Sequence, residues 1–172
     1  IGILAFGNVG RNVARIAKGF GMNVIAYDAY CPADVIEAAG VKAVANQDEL
    51  FEQSDIVSLH IPATAETKGS INYALLAHMP KGGLLVNTAR KEVINEDELI
   101  EILSERTDLK YATDIAADKQ EELNTLFGNR VFATPKKMGA ETAEANINAG
   151  LAAASQIDDY LENGNERFRS NK

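Results

Sequence analysis

Six short apolar runs, separated by helical stretches, constrain this chain more than any other feature. They are Ile3-Leu4-Ala5-Phe6, Val24-Ile25-Ala26-Tyr27, Asp55-Ile56-Val57-Ser58-Leu59, Leu84-Leu85-Val86, Tyr111-Ala112-Thr113 and Val131-Phe132-Ala133. Their continuous rather than alternating character is that of strands covered on both faces. Between the first two, Val9, Val13, Ile16, Ala17 and Phe20 recur at helical spacing, which predicts a helix that turns this stripe onto the sheet. Further helices are expected near residues 32–39, 47–53, 71–77 and 95–105, the last capped by Asn95 with Glu98 three residues on. Strand and helix alternating in this way predict an α/β fold with a doubly wound parallel sheet, whose ligand crevice lies beyond the carboxyl ends of the strands.

Composition narrows the partners. With 17 Lys and Arg against 25 Asp and Glu, the formal charge is −8, and no basic block offers a nucleic acid a surface. No apolar run approaches the ~20 residues that span a bilayer, so no membrane association is expected. Cys31 stands alone, which excludes a disulfide framework and points to a reducing cytoplasm. The opening Ile1-Gly2-Ile3-Leu4 has neither an initiator Met nor a secretion signal and reads as cut at its start. No metal site is expected.

After the first strand comes Ala5-Phe6-Gly7-Asn8-Val9-Gly10, which has the second and third glycines of G-x-G-x-x-G and an alanine at the first. Gly7 lets the backbone approach a pyrophosphate, Gly10 lets the helix lie close to the strand, and the free amides of the first helical turn, at Asn8 and Val9, face the phosphates. Ala5 must fit the tight turn, which it can do if its φ stays negative. Asp28, 18 residues past Gly10, ends the second strand where a carboxylate accepts hydrogen bonds from adenosine ribose hydroxyls. Its charge repels a 2′-phosphate, so NAD is expected rather than NADP. Enzymes using S-adenosylmethionine also combine a glycine loop with a ribose carboxylate and remain a rival on these residues.

Three longer segments carry a resemblance: Asp55 to Pro62 (DIVSLHIP), Glu66-Thr67-Lys68-Gly69 and Gly83 to Arg90 (GLLVNTAR). With Asp97-Glu98-Leu99, Asp114-Ile115, Thr134-Pro135 and Gly139 to Ala145, they are similar to the NAD-binding domain of the D-isomer-specific 2-hydroxyacid dehydrogenases. The resemblance implies a Rossmann-like domain and hydride transfer between nicotinamide and C2 of a small 2-hydroxy acid. Thr-Pro-Lys-Lys-Met-Gly-Ala, where most members carry a histidine, points to members that oxidise 3-phosphoglycerate to 3-phosphohydroxypyruvate in serine synthesis. Arg90 matches the family arginine that grips the substrate carboxylate, a task suited to its planar, permanently charged fork. Asp114 matches the aspartate near the nicotinamide carboxamide. His60, Pro62 and Thr88 fall on the cofactor side, His60 with a mainly structural part. His78 has no evident partner.

The family's catalytic histidine and its partner glutamate are both missing. Counting from Pro135 the histidine position is Lys136, and counting back from Gly139 it is Lys137; the glutamate position is Lys119, after Asp118. A decayed site would explain both losses; alternatively, since a carboxylate raises the pKa of an imidazole whereas a lysine acting as a base near neutral pH needs its pKa lowered, the two changes form one exchange. Lys136 or Lys137, with a slight preference for Lys137, is the expected proton-transfer residue. Charge-only roles for both, with water relaying the proton, or solvated loop lysines, are the alternatives.

Residues 1–140 are therefore expected to form the NAD-binding domain, and 141–172 the returning helix and terminal tail of a substrate domain whose N-terminal segment is absent. The alanine-rich stretch from Ala140 to Leu161 is expected as a long helix, packing closely on another element or a second subunit of a homodimer, or lying on the surface as a good helix former. Alone, the chain is expected to bind NAD and to be inactive, because alignment of substrate and exclusion of water need the second lobe. A dehydrogenase for glycerate, lactate or a similar acid, or a non-catalytic NADH sensor, would carry the same motifs.

Overall fold

The computed structural model describes residues 1–135, 139 and 142–169. It divides into two compact units, Ile1–Lys136 and Lys137–Lys172. In the first, seven strands form one parallel sheet: β1 (Gly2–Leu4), β2 (Ile25–Tyr27), β3 (Lys42–Ala43), β4 (Ile56–Leu59), β5 (Leu84–Asn87), β6 (Lys110–Thr113) and β7 (Val131–Ala133). Their order is β3-β2-β1-β4-β5-β6-β7, so the chain winds outward from β1 to β3, crosses back, and winds the other way from β4. The reversal between β1 and β4 opens a crevice at their carboxyl ends. This is the expected doubly wound sheet.

The connecting helices are α1 (Asn8–Gly19), α2 (Ala33–Ala38), α3 (Gln47–Glu52), α4 (Tyr73–Ala77), α5 (Glu96–Glu105) and α6 (Gln120–Phe127). Alternation along β1 sends Ile3 into a core with Phe6, Ala14, Ala17, Ile36 and Val41 under α1 and α2, and Leu4 into the larger core under the other helices. Asparagines start α3, α4 and α5: Asn46, Asn72 and Asn95 accept the N–H groups of Glu49, Leu75 and Glu98. At Asn95 the expected reciprocal box is altered. Glu98 takes the Asn95 side-chain amide at 2.6 Å and the N–H of Tyr73 at 2.7 Å, joining α5 to α4.

Two expectations are corrected. On α1 the buried face is Gly10, Ala14 and Ala17, whereas Val9, Ile16 and Phe20 are 61%, 51% and 81% exposed. The reason is the closeness of helix and strand: a Cβ at Gly10 would sit 2.2 Å from the Ala5 carbonyl oxygen, so only small residues fit the contact and the larger stripe is rotated outward. Ala5 has φ of +77°, not a negative value. Its N–H donates to the Tyr27 carbonyl at 2.9 Å, and the turn out of β1 holds it in a region that costs a non-glycine residue about 1–2 kcal/mol.

The second unit contains α7 (Ala143–Asn163), capped by the Thr142 hydroxyl and closed by Gly164 at φ of +67°. None of its residues is buried, and Ile147, Leu151, Ile157 and Leu161 lie exposed along it. Among the described residues, no helix is long and apolar enough to cross a membrane.

Candidate functional site

Register places the sequence-derived candidates along one edge. Tyr27, Leu4, Leu59, Asn87, Thr113 and Ala133 are aligned across β2, β1, β4, β5, β6 and β7. The next residue on each strand is therefore Asp28, Ala5, His60, Thr88, Asp114 and Thr134, all at the carboxyl edge. Asp28 and Asp114 are four strand spacings apart, roughly 19 Å.

At the centre is the turn into α1. Gly7 precedes the helix in extended conformation, no acidic residue occupies the first turn, and no side chain caps it. The N–H groups of Asn8, Val9 and Gly10 have no carbonyl one turn back to bond, which leaves a partial positive charge at the helix start. A Cβ at Gly7 would meet nothing within 4 Å, so the space above this backbone is open.

Asp28 is bound on three sides. Oδ2 accepts the N–H of Phe6 at 2.6 Å, and Oδ1 accepts those of Tyr30 and Cys31, each at 2.8 Å. Partial burial pushes the carboxyl pKa up, but the N–H groups of Tyr30, Phe6 and Cys31 and the Arg11 charge outweigh it and hold the value below the usual carboxylate range. Beside it lies a cavity of about 270 Å³ lined by Ala5, Tyr27, Asp28, Ile61, Pro62 and Thr67 among others. The buried hydroxyl of Ser70 borders this cavity and has no hydrogen-bond partner. His60 donates its backbone N–H to Leu4 and places Nε2 3.0 Å from the Ser58 hydroxyl. Burial lowers its pKa, so the ring is neutral at pH 7.

Farther along, Asn87 organises the turn that presents Thr88 and Arg90. Its Oδ1 accepts the Ala89 N–H at 3.0 Å and its Nδ2 donates to the Arg90 carbonyl at 3.0 Å, while its own carbonyl accepts the Thr113 hydroxyl at 2.8 Å. Arg90 is exposed and donates through Nη1 to the Ala89 carbonyl at 2.8 Å. Asp114 is half buried, and its Oδ1 has no hydrogen-bond partner. The sequence reading gave Asn87 and Ser70 no role; the signal for Asn87 is an amide ending an apolar strand, where a buried polar side chain must be bonded.

Lys136 and Lys137 lie outside the described residues. Lys119, at the family's glutamate position, is paired with Asp97, which raises its pKa, and Asp118 is paired with Lys91. His78 lies with Nε2 3.8 Å from Asp48, so it has the partner that the sequence did not reveal. Among the described residues there is no grouping of His, Cys, Asp or Glu able to hold a metal ion.

The arrangement fits an extended dinucleotide. Open space above Gly7 and free amides at the start of α1 suit a diphosphate, Asp28 keeps one acceptor direction of its carboxylate for a sugar hydroxyl, and the orphaned Oδ1 of Asp114 calls for a donor.

Residues 1–136 match the family described as D-isomer specific 2-hydroxyacid dehydrogenase, NAD binding domain. The chain is 37% identical over 162 residues to D-3-phosphoglycerate dehydrogenase of Methanocaldococcus jannaschii, covering 94% of this chain and 31% of that protein. It is 36% identical to hydroxypyruvate reductase of Thermotoga maritima, covering 91% of this chain and 51% of that one. The NAD+-bound 3-phosphoglycerate dehydrogenase of Entamoeba histolytica superposes with a TM-score of 0.86 at 48% identity, over 99% of this chain and 54% of that chain. The chain thus spans from about 31% to 54% of the length of these relatives. It belongs to the D-isomer-specific 2-hydroxyacid dehydrogenases, as an NAD-binding domain of the Rossmann type.

Proposed function

We propose that this chain is the cofactor-binding part of an NAD-dependent enzyme that oxidises a D-2-hydroxy acid, with 3-phosphoglycerate as its substrate and 3-phosphohydroxypyruvate as its product. The observation that carries the reading is that Asp28, Asp114 and the turns carrying Gly7 and Arg90 all leave strands aligned at one carboxyl edge, in a chain 48% identical to a 3-phosphoglycerate dehydrogenase. Gly7 and the amides of Asn8, Val9 and Gly10 would hold the diphosphate, Asp28 the adenosine ribose, and Asp114 the carboxamide end, with His60, Pro62 and Thr88 lining the path between.

The nicotinamide, when bound, supplies the acceptor for the hydride leaving C2. Arg90 has the charge and fork geometry to bind the substrate carboxylate. Its place in the turn after β5, two strands from the glycine loop, supports a substrate bound beside the carboxamide end of the cofactor. The hydroxyl proton of the substrate passes to Lys137 or Lys136, and the product is the 2-oxo acid. Charge-only roles for these lysines remain the competing assignment. Residues 1–140 act as the NAD-binding domain, and 141–172 as the returning part of a substrate domain.

Two measurements test this. Calorimetry on the chain with NADH should give saturable binding. A polypeptide of the relatives' length carrying this chain should reduce NAD with 3-phosphoglycerate; faster reduction with glycerate or lactate would overturn the substrate, and absence of reduction with all three would overturn the activity. We also infer a homodimer, supported by the apolar Ile16 and Phe20 left in solvent on α1. Light scattering that gives a monomer mass would refute it.

A further inference from the structure

The cavity of about 270 Å³ beside Asp28 is walled by Tyr27 to Tyr30 at the end of β2, by Gln47 on α3 and by residues from Ile61 to Ser70 after β4. Gly7 does not line it, so the diphosphate turn stands outside, and the cavity receives the base carried by the sugar at Asp28. Tyr27, Ala29 and Pro62, none of them buried, offer that base apolar surface.

Most of the polar groups on these walls are already engaged. Thr67 Oγ1 accepts the Thr64 N–H at 2.7 Å and donates to the Pro62 carbonyl, and the Thr64 hydroxyl donates to Glu66 Oε2 at 2.7 Å. The Ser70 hydroxyl is buried, and a Glu66 carboxylate can only accept. Gln47 differs: it is half-buried, it lines the cavity, and its side chain has no hydrogen-bond partner among the described residues. Its neighbours are tied to one another. Asn46 accepts the Glu49 N–H at 2.8 Å, while Glu49 accepts the Ala45 N–H at 2.8 Å and the Gln53 amide at 2.9 Å. The backbone at Gln47 is thus held and its carboxamide alone stays uncommitted. The Tyr27 and Tyr30 hydroxyls are also unbonded among the described residues, but each works through a single atom, whereas a carboxamide presents an acceptor and a donor side by side.

We propose that Gln47 is the residue that reads the adenine base: Oε1 accepts the 6-amino group and Nε2 donates to the ring nitrogen beside it, N7 or N1. Adenine presents this donor and acceptor together, the pair that a glutamine side chain matches. A purine lacking the amino group leaves Oε1 without a donor whichever way the amide is turned. Hypoxanthine separates the two edges. Beside N7 it offers two acceptors and one bond is lost, whereas beside N1 its oxygen and N–H suit the amide turned over. The assignment rests on the adenosine placement proposed above.

The test is calorimetry on the native chain, Gln47→Leu and Gln47→Met with NADH and with its analogues carrying purine or hypoxanthine in place of adenine. The native chain should bind the purine dinucleotide roughly three- to tenfold more weakly than NADH, the worth of one hydrogen bond. In both variants NADH should weaken and that preference should fall below about twofold, because no carboxamide remains to distinguish the bases. Hypoxanthine dinucleotide bound by the native chain as weakly as the purine one assigns the N7 edge; bound as tightly as NADH, it assigns the N1 edge. Equal binding of NADH and the purine dinucleotide by the native chain, or a preference that persists in the variants, would overturn the role of Gln47 and leave the dinucleotide reading standing. Failure of all three dinucleotides to bind the native chain would overturn both.

Discussion

The carboxylate of Asp28 accepts the backbone N–H of Phe6 at 2.6 Å, joining the end of β2 to the turn that leaves β1. With Tyr30 and Cys31 on its other oxygen, Asp28 spends three of its roughly four acceptor directions on the protein's own backbone. The residue proposed to hold the ribose is thus also the clasp of the glycine turn.

Asp28→Asn should therefore weaken NADH binding by more than the loss of one contact. Its amide nitrogen cannot accept, so one side of the clasp is broken whichever way the group is turned. A hydrogen bond to a charged group contributes about 1.5–3 kcal/mol, which predicts a loss of roughly ten- to a hundredfold in affinity. Calorimetry with NADH and NADPH should also show a smaller preference for NADH, because the charge facing the 2′ position is gone.

The depressed pKa of Asp28 fixes a pH dependence. A carboxylate whose folded pKa lies below its unfolded value of about 3.9 stabilises the fold fully above that value, and the contribution is lost as pH falls through the folded pKa. The difference in urea stability between the native chain and Asp28→Asn should be constant from pH 7 to 5 and shrink only in the acid range below about 4. A difference that already shrinks between pH 7 and 5 would show that Asp28 does not carry the low pKa.

Ala5 offers a substitution that stabilises. At φ of +77° it carries about 1–2 kcal/mol of backbone strain, and glycine would remove that at an entropic cost of about 0.5–1 kcal/mol. Ala5→Gly should raise urea stability by roughly 0.5–1 kcal/mol and preserve NADH binding. Ala5→Val, with a branched Cβ at the same φ, should lower stability. Equal stability of all three would mean that the turn relaxes.

Much of the fold was legible because continuous apolar runs and turn residues are local signals. Strands β1, β2 and β4 to β7 and helices α1 to α5 and α7 fall where periodicity, runs and caps put them, within a few residues at their ends. Strand β3 escaped because it is two residues long, and α6 because its apolar residues, Leu123, Leu126 and Phe127, sit among polar ones too sparsely to announce a face. The buried side of α1 was misread for a different reason: tight packing selects small residues, so the most hydrophobic stripe and the buried stripe diverge. At the site, Asp28 was visible as a carboxylate at a strand end, whereas Arg90 and Asp114 were picked out by the family resemblance. The work of Asn87 was not, since its partners are backbone groups brought into reach only by the turn from Thr88 to Arg90.

Asn87→Leu tests that work. It keeps the branching and heavy-atom count at a fully buried position but removes the Asn87 bonds to the Ala89 N–H and the Arg90 carbonyl, each such loss costing about 1–3 kcal/mol. A loss of roughly 2–4 kcal/mol in urea stability is expected, allowing for partial solvation of the Arg90 carbonyl. In the active polypeptide the Michaelis constant for the hydroxy acid should rise through displacement of Arg90, with the NADH dissociation constant changed less than twofold. The converse pattern would place Asn87 on the cofactor side.

The lysine exchange makes a prediction that Lys119 sharpens. Were Lys119 the remnant of a proton relay, its charge would be free to face the substrate; instead it is held by Asp97, which raises its pKa and leaves it no use as a base near neutral pH. Lys119→Ala should therefore leave kcat within about twofold of native, while Lys137→Ala should lower kcat about a hundredfold, in the range typical of a general base. The rate in the native enzyme should rise with pH as the general base loses its proton, and that rise should vanish in Lys137→Ala. If Lys136→Ala shows these effects instead, the base is the neighbouring residue. If both variants keep the native pH profile, the two lysines supply charge alone and water relays the proton.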